Sequence, residues 1–205
     1  MVFVSGYPDP GMTAFFGKPI RAWASYRDWG RAVAASGLVG ITYGNRTPAD
    51  VDALVAHLRA NAVSLAIDPA RVGAWSCSGN APDALGLMTR TPLTCAALLY
   101  PFLLDVDGAT ALPEAAAKFY FAAPPITIDD LPDAVPMLIV RAGADQTPAL
   151  NVTLDRFVAA ARTRGLPVTL IDHPDAPHAF DLVDDRAATH AVTEQVLDFL
   201  RRNLA

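Results

Sequence analysis

The sequence has few cysteines and no cluster of them. Only Cys77 and Cys95 occur among 205 residues, and neither lies in a CxxC motif. Two cysteines without such spacing make neither a disulfide framework nor a zinc site. The four histidines also lack an HExxH or other paired metal spacing. The sequence therefore predicts no metal, and its sparse cysteines favour a cytoplasmic protein with reduced thiols.

Long hydrophobic runs and clusters of basic residues are also missing. No apolar run approaches the roughly 18 residues that a membrane-spanning helix needs. The first residues, MVFVSGYPDPG, have no basic region and too short an apolar run for a signal peptide. The formal net charge is −5 and lysine is nearly absent, so nothing indicates nucleic acid. We therefore expect neither a membrane partner nor a nucleic-acid partner.

Apolar residues, by contrast, are abundant and follow two alternating patterns. Hydrophobic residues make up 52% of the chain and charged residues 18%, which predicts a globular chain with a large core. Continuous apolar runs alternate with segments of helical spacing, and this predicts a mostly parallel sheet with helices on both faces. The predicted strands are VFVSG (2–6), LVGITY (38–43), RVGAW (71–75), LTCAALLY (93–100), PMLIVRAG (136–143) and PVTLIDH (167–173).

The predicted helices lie between these strands. Gly37 ends the first of them, and Thr47 and Pro48 begin the second, with Thr47 as the cap. Residues 101–135 interrupt the alternation, because they are rich in proline and alanine. A long irregular excursion in a compact α/β domain is typical of a lid or binding loop. We find no internal repeat and expect residues 1–205 to form a single domain.

Reactive side chains follow three of the predicted strands. Ser78 follows RVGAW, Asp145 follows PMLIVRAG and His178 follows PVTLIDH. Ligands of a parallel sheet bind beyond the carboxyl ends of its strands. A serine hydroxyl becomes a strong nucleophile when a histidine accepts its proton and an acid orients that histidine. The chain order Ser, Asp, His is that of the α/β-hydrolases.

The sequence resembles the α/β-hydrolase superfamily and, within it, the dienelactone hydrolase-like group. RVGAWSCSGN resembles the nucleophile elbow of that group, RAGADQTP its acid loop and APHAFD its histidine loop. The resemblance implies the α/β-hydrolase fold, here without the two strands that usually precede VFVSG. It also implies a serine hydrolase that cleaves a carboxylic ester, lactone or thioester through an acyl-serine intermediate and needs no cofactor.

Three adjacent residues, Ser76, Cys77 and Ser78, compete for the nucleophile position. The elbow requires small residues two positions before and after the nucleophile. Trp75 is too bulky for an elbow centred on Cys77, and an elbow centred on Ser76 would place Pro82 well inside the next helix. We therefore predict Ser78 as the nucleophile, with Cys77 packed beside the site.

The resemblance also implies an oxyanion hole made of two backbone N–H groups. One belongs to Gly79, directly after the nucleophile. In the loop after the first strand Tyr7 is the natural donor, because Pro8 has no N–H. The elbow departs from the usual G-x-S-x-G pattern, since Asn80 stands at the position of the second glycine.

Other titratable residues remain alternatives. His173 is the rival base, although it is expected to pack or hydrogen-bond at a strand end. Arg141 and Arg21 could bind a substrate carboxylate, and each also suits an ion pair. The rival acids are Asp172, Asp175, Asp105 and Asp107, and the histidines expected on helix surfaces are His57 and His190.

The start of the chain and the function both leave alternatives open. Without two preceding strands, LVGITY would be an uncovered apolar sheet edge, which is prone to association. We expect either that the protein begins upstream of Met1 or that this edge pairs in a homo-oligomer. The alternative functions are an amidase or peptidase on the same fold and a ligand-binding protein with a decayed site. A decayed site predicts that Ser78 lies beyond hydrogen-bond reach of His178.

Overall fold

The fold is built on one parallel sheet of five strands in the order β1-β2-β3-β4-β5. The computed structural model describes residues 1–205. Its strands are β1 (Val2–Phe3), β2 (Ala74–Cys77), β3 (Ala96–Leu99), β4 (Met137–Ala142) and β5 (Val168–His173). Its helices are α1 (Asp9–Phe16), α2 (Ala24–Ala35), α3 (Ala49–Ala60), α4 (Ala81–Arg90), α5 (Ala111–Phe119), α6 (Leu150–Thr163), α7 (Phe180–Val183) and α8 (Ala187–Leu204). None of these helices combines the length and the hydrophobicity of a bilayer-spanning segment.

Both faces of the sheet are buried, as the continuous apolar strands predict. Successive residues of a strand point to opposite faces. In β2, Ala74 packs into one apolar cluster and Trp75 into another. Helices α3, α4 and α6 contribute to the first cluster, and α2 and α8 contribute to the second. The predicted α/β architecture with helices on both faces is confirmed.

The predicted strand LVGITY is wrong. Only Ile41 pairs with the sheet, through an isolated parallel bridge to Val2. The Phe3 N–H donates to the Ile41 carbonyl at 2.9 Å, and the Ile41 N–H donates to the Met1 carbonyl at 2.9 Å. Because β1 is two residues long, the ladder ends after this bridge. The segment lies at the sheet edge, where half of Val39 is exposed, and association through this edge stays a prediction.

Residues 101–135 are less irregular than predicted. They contain α5 and a short 3-10 turn at Ile128–Asp130. Leu112 is the residue that α5 buries, and its N–H donates to Asp105 Oδ2 at 2.9 Å. Pro113 is the third residue of α5, where the backbone N–H has no partner within the helix. Pro113 would disrupt the interior of a helix, but it is compatible with the first turn of α5.

Thr47 does not cap α3. The N-cap position is taken by Pro48, and no side chain caps the helix. Instead, the Asp50 carboxylate accepts the N–H groups of Arg46 and Thr47 at 2.6 and 2.9 Å. The acid in the first turn thus reaches back to the chain before the helix. The predicted start of the helix was right, but its capping interaction was wrong.

Candidate active site

Ser78 lies on a strained turn between β2 and α4. Strand β2 ends at Cys77, and residues 78–80 form a 3-10 turn that leads directly into α4. Ser78 has a φ of +53°, a conformation that residues other than glycine rarely adopt. A sharp strand-to-helix turn of this kind exposes the serine side chain above the sheet. Pro82 is the second residue of α4, where a proline is well tolerated.

A continuous chain of hydrogen bonds joins Ser78, His178 and Asp145. The Ser78 Oγ lies 2.9 Å from His178 Nε2, and His178 Nδ1 lies 2.6 Å from Asp145 Oδ2. The other carboxylate oxygen, Oδ1, accepts the Thr147 N–H at 2.8 Å. The Asp145 side chain is fully buried, whereas 34% of the His178 side chain is exposed. The structure thus brings these three residues together from the ends of three strands.

Close backbone packing positions the acid loop against the histidine loop. The Gly143 N–H donates to the His173 carbonyl at 2.9 Å. A β-carbon at Gly143 would overlap the backbone of Pro174, so this approach requires glycine. Asp145 follows Gly143 by two residues, and His178 follows Pro174 by four. The contact therefore keeps the carboxylate within reach of the imidazole.

The two neighbours of Ser78 are poorly placed for nucleophilic attack. Ser76 is completely buried, and its hydroxyl has no hydrogen-bond partner. Cys77 is also buried, and desolvation raises the pKa of its thiol to about 12. A buried thiol with so high a pKa is not the thiolate that reacts near neutral pH. Of the three candidates, Ser78 is the one bonded to a histidine.

The rival acids and histidines have other surroundings. Asp172 pairs with Arg141 at 3.2 Å. His173 is buried, and its Nε2 lies 2.9 Å from Thr189 Oγ1. The remaining rivals include four exposed residues: Asp107, Asp175, His57 and His190. No group of three or more His, Cys, Asp or Glu side chains is arranged to hold a metal ion.

The loop after β1 packs directly on the elbow. A β-carbon on Gly6 would lie 2.8 Å from the Gly79 carbonyl oxygen. A β-carbon on Gly79 would lie 2.5 Å from both the Tyr7 hydroxyl and the Phe121 ring. The Tyr7 N–H makes a long hydrogen bond of 3.4 Å to Ser5 Oγ. The two segments predicted to supply the oxyanion hole are therefore in contact.

Comparison with known proteins finds similar structures but no similar sequence family. No protein-family model and no curated protein matches the sequence. Carboxyl esterase 2 of the mycorrhizal fungus Tuber melanosporum has a TM-score of 0.71 and 18% identity, over 88% of this chain and 73% of its own. A bacterial heroin esterase has a TM-score of 0.69 and 18% identity, over 100% of this chain and 74% of its own.

A thermophilic esterase from Thermogutta terrifontis, solved with propionate, has a TM-score of 0.68 and 19% identity. The alignment covers 98% of this chain and 81% of that esterase. These TM-scores agree with the parallel sheet and the strained turn at Ser78 described above. The chain has the α/β-hydrolase fold. The likeness to dienelactone hydrolases in particular stays a prediction.

In this α/β-hydrolase fold, Asn80 joins the elbow to the loop after β1. Its Oδ1 accepts the Gly6 N–H at 2.9 Å, and its Nδ2 donates to the Cys77 carbonyl at 2.9 Å. The side chain is buried. A glycine at this position would make neither bond. Asn80 departs from the usual motif, and these two contacts give that departure a structural role.

Asp181, a half-buried carboxylate three residues after His178, was not among the candidate site residues. The Tyr100 hydroxyl donates to Asp181 Oδ1 at 2.6 Å, and Trp29 Nε1 donates to Oδ2 at 2.8 Å. Burial raises the pKa of Asp181, while the two hydrogen bonds act in the opposite direction. The Tyr100 ring meets the His178 ring edge-on, with centroids 4.9 Å apart. Tyr100 thus contacts both the His178 ring and the Asp181 carboxylate, and no local sequence signal marks this network.

Ser78 and His178 open into an apolar cavity of about 290 Å³. No Arg, Lys, Asp or Glu belongs to its lining. Arg21 lies outside it and pairs with Asp9 at 2.5 Å, and Arg141 pairs with two aspartates. The lining residues are Tyr7, Met12, Phe16, Ile20, Trp23, Ser25, Tyr26, Cys77, Ser78, Asn80, Tyr100, Phe119, His178, Ala179 and Leu182.

Proposed function

We propose that this chain is a serine hydrolase that cleaves a carboxylic ester, lactone or thioester through an acyl-Ser78 intermediate. The observation that carries the proposal is the hydrogen-bonded chain from Ser78 through His178 to Asp145. A decayed site predicts a broken chain, whereas the Ser78 Oγ lies 2.9 Å from the histidine. The esterase names of the three structural neighbours agree with the proposal.

The first step uses each member of this chain. His178 Nε2 accepts the hydroxyl proton as Ser78 Oγ attacks the carbonyl carbon. Asp145 accepts a hydrogen bond from Nδ1–H, which holds the imidazole in the required tautomer and stabilises the imidazolium. His178 then donates the proton to the departing alcohol or thiol. Water enters by the same general-base step and releases the acid from Ser78.

The negative oxygen of the tetrahedral intermediate needs hydrogen-bond donors. We assign this role to the backbone N–H groups of Tyr7 and Gly79, whose segments are in contact. The N-terminus of α4 follows the elbow within three residues, and its partial positive charge favours an anion there. The loss of one oxyanion donor typically lowers the rate by about 10²–10³.

The cavity favours an uncharged substrate. A substrate carboxylate would need a cation, and the lining has no arginine or lysine. The volume of about 290 Å³ lies at the small end of ligand cavities. We therefore propose a small neutral aliphatic or aromatic acyl or alcohol group. The likeness of three loops to dienelactone hydrolases supports attack on a carbonyl carbon. The preference for an uncharged substrate rests on the cavity lining, which has no charged residue.

Labelling with a fluorophosphonate probe tests the nucleophile. The wild type and Ser76→Ala should both be labelled, because Ser76 is buried and makes no hydrogen bond. Ser78→Ala should not be labelled, and its kcat should fall by about 10⁴-fold or more. Equal labelling of wild type and Ser78→Ala would end the proposal.

A substrate panel tests the reaction and the substrate class. We expect p-nitrophenyl esters to be cleaved and peptide p-nitroanilides to be cleaved far more slowly. Comparable rates on the anilides would favour the amidase alternative. A p-nitrophenyl hemisuccinate compared with the butyrate isolates the effect of a carboxylate. We expect the charged ester to react at least about a hundredfold more slowly, since a buried unpaired charge costs several kcal/mol.

Two features of the whole chain complete the proposal. Cys77 and Cys95 are both free and buried, which supports a cytoplasmic location where thiols stay reduced. The single sheet has a buried cluster on each face, and this supports residues 1–205 acting as one domain, with 101–135 bordering the cavity through Phe119.

A further inference from the structure

The segment between β1 and α2 contributes more of the wall of the Ser78 cavity than any other part of the chain. Five of the fifteen lining residues belong to residues 4–23, which we call the β1–α2 segment: Tyr7, Met12, Phe16, Ile20 and Trp23. Residues 101–135, the predicted lid or binding loop, contribute only Phe119. The β1–α2 segment therefore has the larger part in shaping the space beside the nucleophile.

The inner and outer parts of this wall differ in their exposure to water. Met12 and Ile20 are buried, so they belong to the inner part. Phe16, at the end of α1, is 60% exposed, and Trp23, directly before α2, is half-buried. Because these two aromatic residues line the cavity and also reach water, they lie where its wall meets the surface of the protein.

A reversal of the chain brings Phe16 and Trp23 together. Gly17 ends α1 with a φ of +73°, a conformation that glycine adopts without strain. The chain then turns back through a 3-10 turn at Ile20–Ala22. The Phe16 and Trp23 rings meet edge-on, with centroids 5.3 Å apart and planes at 72°. This is a favourable aromatic geometry, so the two rings form one continuous piece of the wall.

The buried Asp9 ties the two ends of this reversal together. Its Oδ1 accepts the Ile20 N–H at 3.2 Å, and its Oδ2 binds Arg21 at 2.5 Å. Oδ2 also accepts the Asn45 N–H at 3.0 Å, and the Asp9 N–H donates to the Asn45 carbonyl at 2.6 Å. The Asn45 amide in turn donates to the Tyr7 carbonyl at 3.0 Å. These bonds hold the base of the segment, so the size of the cavity depends on the side chains of the wall.

We propose that Phe16 and Trp23 set the greatest length of the acyl or alcohol group that the Ser78 cavity admits, and that long alkyl chains are excluded. This inference rests on the proposed function and names the residues that select its substrate. The cavity has a volume of about 290 Å³, and a wall held at its base does not widen for a longer chain. A methylene that a pocket has no room for lowers kcat/KM by about tenfold or more.

Esters of graded length test the proposal. p-Nitrophenyl acetate, butyrate and octanoate vary the acyl group, and methyl, butyl and octyl acetate vary the alcohol. In at least one series we expect the wild-type kcat/KM to fall by about tenfold or more from the four-carbon to the eight-carbon member. Phe16→Ala with Trp23→Ala should raise the ratio of the eight-carbon to the four-carbon value by about tenfold or more. A wild type without this fall, or a ratio that the double variant leaves unchanged, would overturn the proposal.

Phe15→Ala is the matched control, because Phe15 precedes Phe16 on α1, is 74% exposed and does not line the cavity. It should leave the ratio unchanged. Phe119→Ala tests residues 101–135, and a rise as large as that of the double variant would contradict the assignment to the β1–α2 segment. If circular dichroism shows the alanine pair to be unfolded, Phe16→Leu with Trp23→Leu shortens both side chains and keeps them apolar.

A binding measurement separates this proposal from the proposed hydrolase activity. In the Ser78→Ala background nothing is turned over, and N-phenyl-1-naphthylamine serves as a neutral apolar probe whose fluorescence rises on binding. Phe16→Ala with Trp23→Ala should bind it about tenfold more tightly or better, because more of the probe enters the cavity, and Phe15→Ala should not. Ser78-dependent ester cleavage with an unaltered length preference overturns this proposal alone. If no ester is cleaved, the hydrolase proposal fails and the probe decides this one, since tighter binding supports it and unchanged binding overturns it.

Discussion

Gly6 and Asn80 are 74 residues apart in the sequence and are joined by a buried hydrogen bond of 2.9 Å from the Gly6 N–H to Asn80 Oδ1. The bond fastens the loop that carries Tyr7 to the elbow that carries Ser78. The second bond of Asn80, to the Cys77 carbonyl, fixes the amide on the elbow itself. In the proposed mechanism this arrangement sets the spacing of the two oxyanion donors.

Asn80→Gly restores the usual elbow motif but removes both bonds. We expect kcat for p-nitrophenyl acetate to fall by about ten- to a hundredfold with little change in KM, because the oxyanion donor at Tyr7 loses its support. Urea unfolding should show a loss of about 1–3 kcal/mol. Asn61→Gly, at the C-cap of α3, is the control and should leave kcat unchanged. An unaltered kcat in Asn80→Gly would contradict the role.

Tyr100→Phe removes one of the two hydrogen-bond donors of the half-buried Asp181 carboxylate. We expect the free energy of unfolding to fall by about 1–3 kcal/mol, because an acceptor partly shielded from water loses its partner. The kcat should also fall several-fold, since Asp181 lies three residues after His178. Tyr120→Phe removes a hydroxyl from an exposed tyrosine and should change neither quantity. Equal behaviour of the two variants, in urea unfolding and in ester turnover, would refute the prediction.

Gly79→Ala places a β-carbon 2.5 Å from the Phe121 ring and the Tyr7 hydroxyl. One of these groups or the elbow must move, so we expect a loss of about 1–3 kcal/mol in stability and a larger proportional loss in kcat. Phe121→Ala in the same chain should restore part of the activity. Gly30→Ala in α2 meets nothing within 4 Å and should instead stabilise the protein by about 1 kcal/mol. Full activity of Gly79→Ala would show that the contact is unimportant.

Asp83, in the first turn of α4, is 2% exposed, and its Oδ2 has no hydrogen-bond partner. Burial raises its pKa from 3.8 to about 7. The unfolded chain ionises this group near pH 4 and the folded chain only near pH 7, so its ionisation destabilises the fold progressively across that interval. Above it, the destabilisation reaches a plateau of up to about 4 kcal/mol.

Asp83→Asn removes this titration. We expect the variant to gain stability relative to the wild type as the pH rises from about 4 to about 8, by about 2–4 kcal/mol across the interval. Urea unfolding at the two pH values measures the difference. Asp107→Asn, at an exposed position with positive φ, is the control and should show little change. A constant difference between Asp83→Asn and wild type at both pH values would contradict the raised pKa.

β2 to β5 all lie within or beside the predicted apolar runs. β2 and β3 are buried at every position and β4 at all but Arg141, because a doubly covered strand excludes most polar residues. β5 is an edge strand that exposes Thr169 and Asp172, and its remaining apolar residues were enough to predict it. Leu38–Tyr43 has the same composition but lies at the sheet edge, where its only neighbour is the two-residue β1. Composition indicates burial there, but a ladder needs a partner of sufficient length.

The sequence by itself determined the strands β2 to β5 and the placement of Ser78, Asp145 and His178 after three of them, because periodicity and turn residues are local properties. Only the tertiary structure decided what surrounds those residues. Asn80 bonds to Gly6, and Trp29 bonds to Asp181, which is 152 residues away in the sequence. Such contacts depend on how the loops pack beyond the sheet, and no local pattern in the chain records that packing.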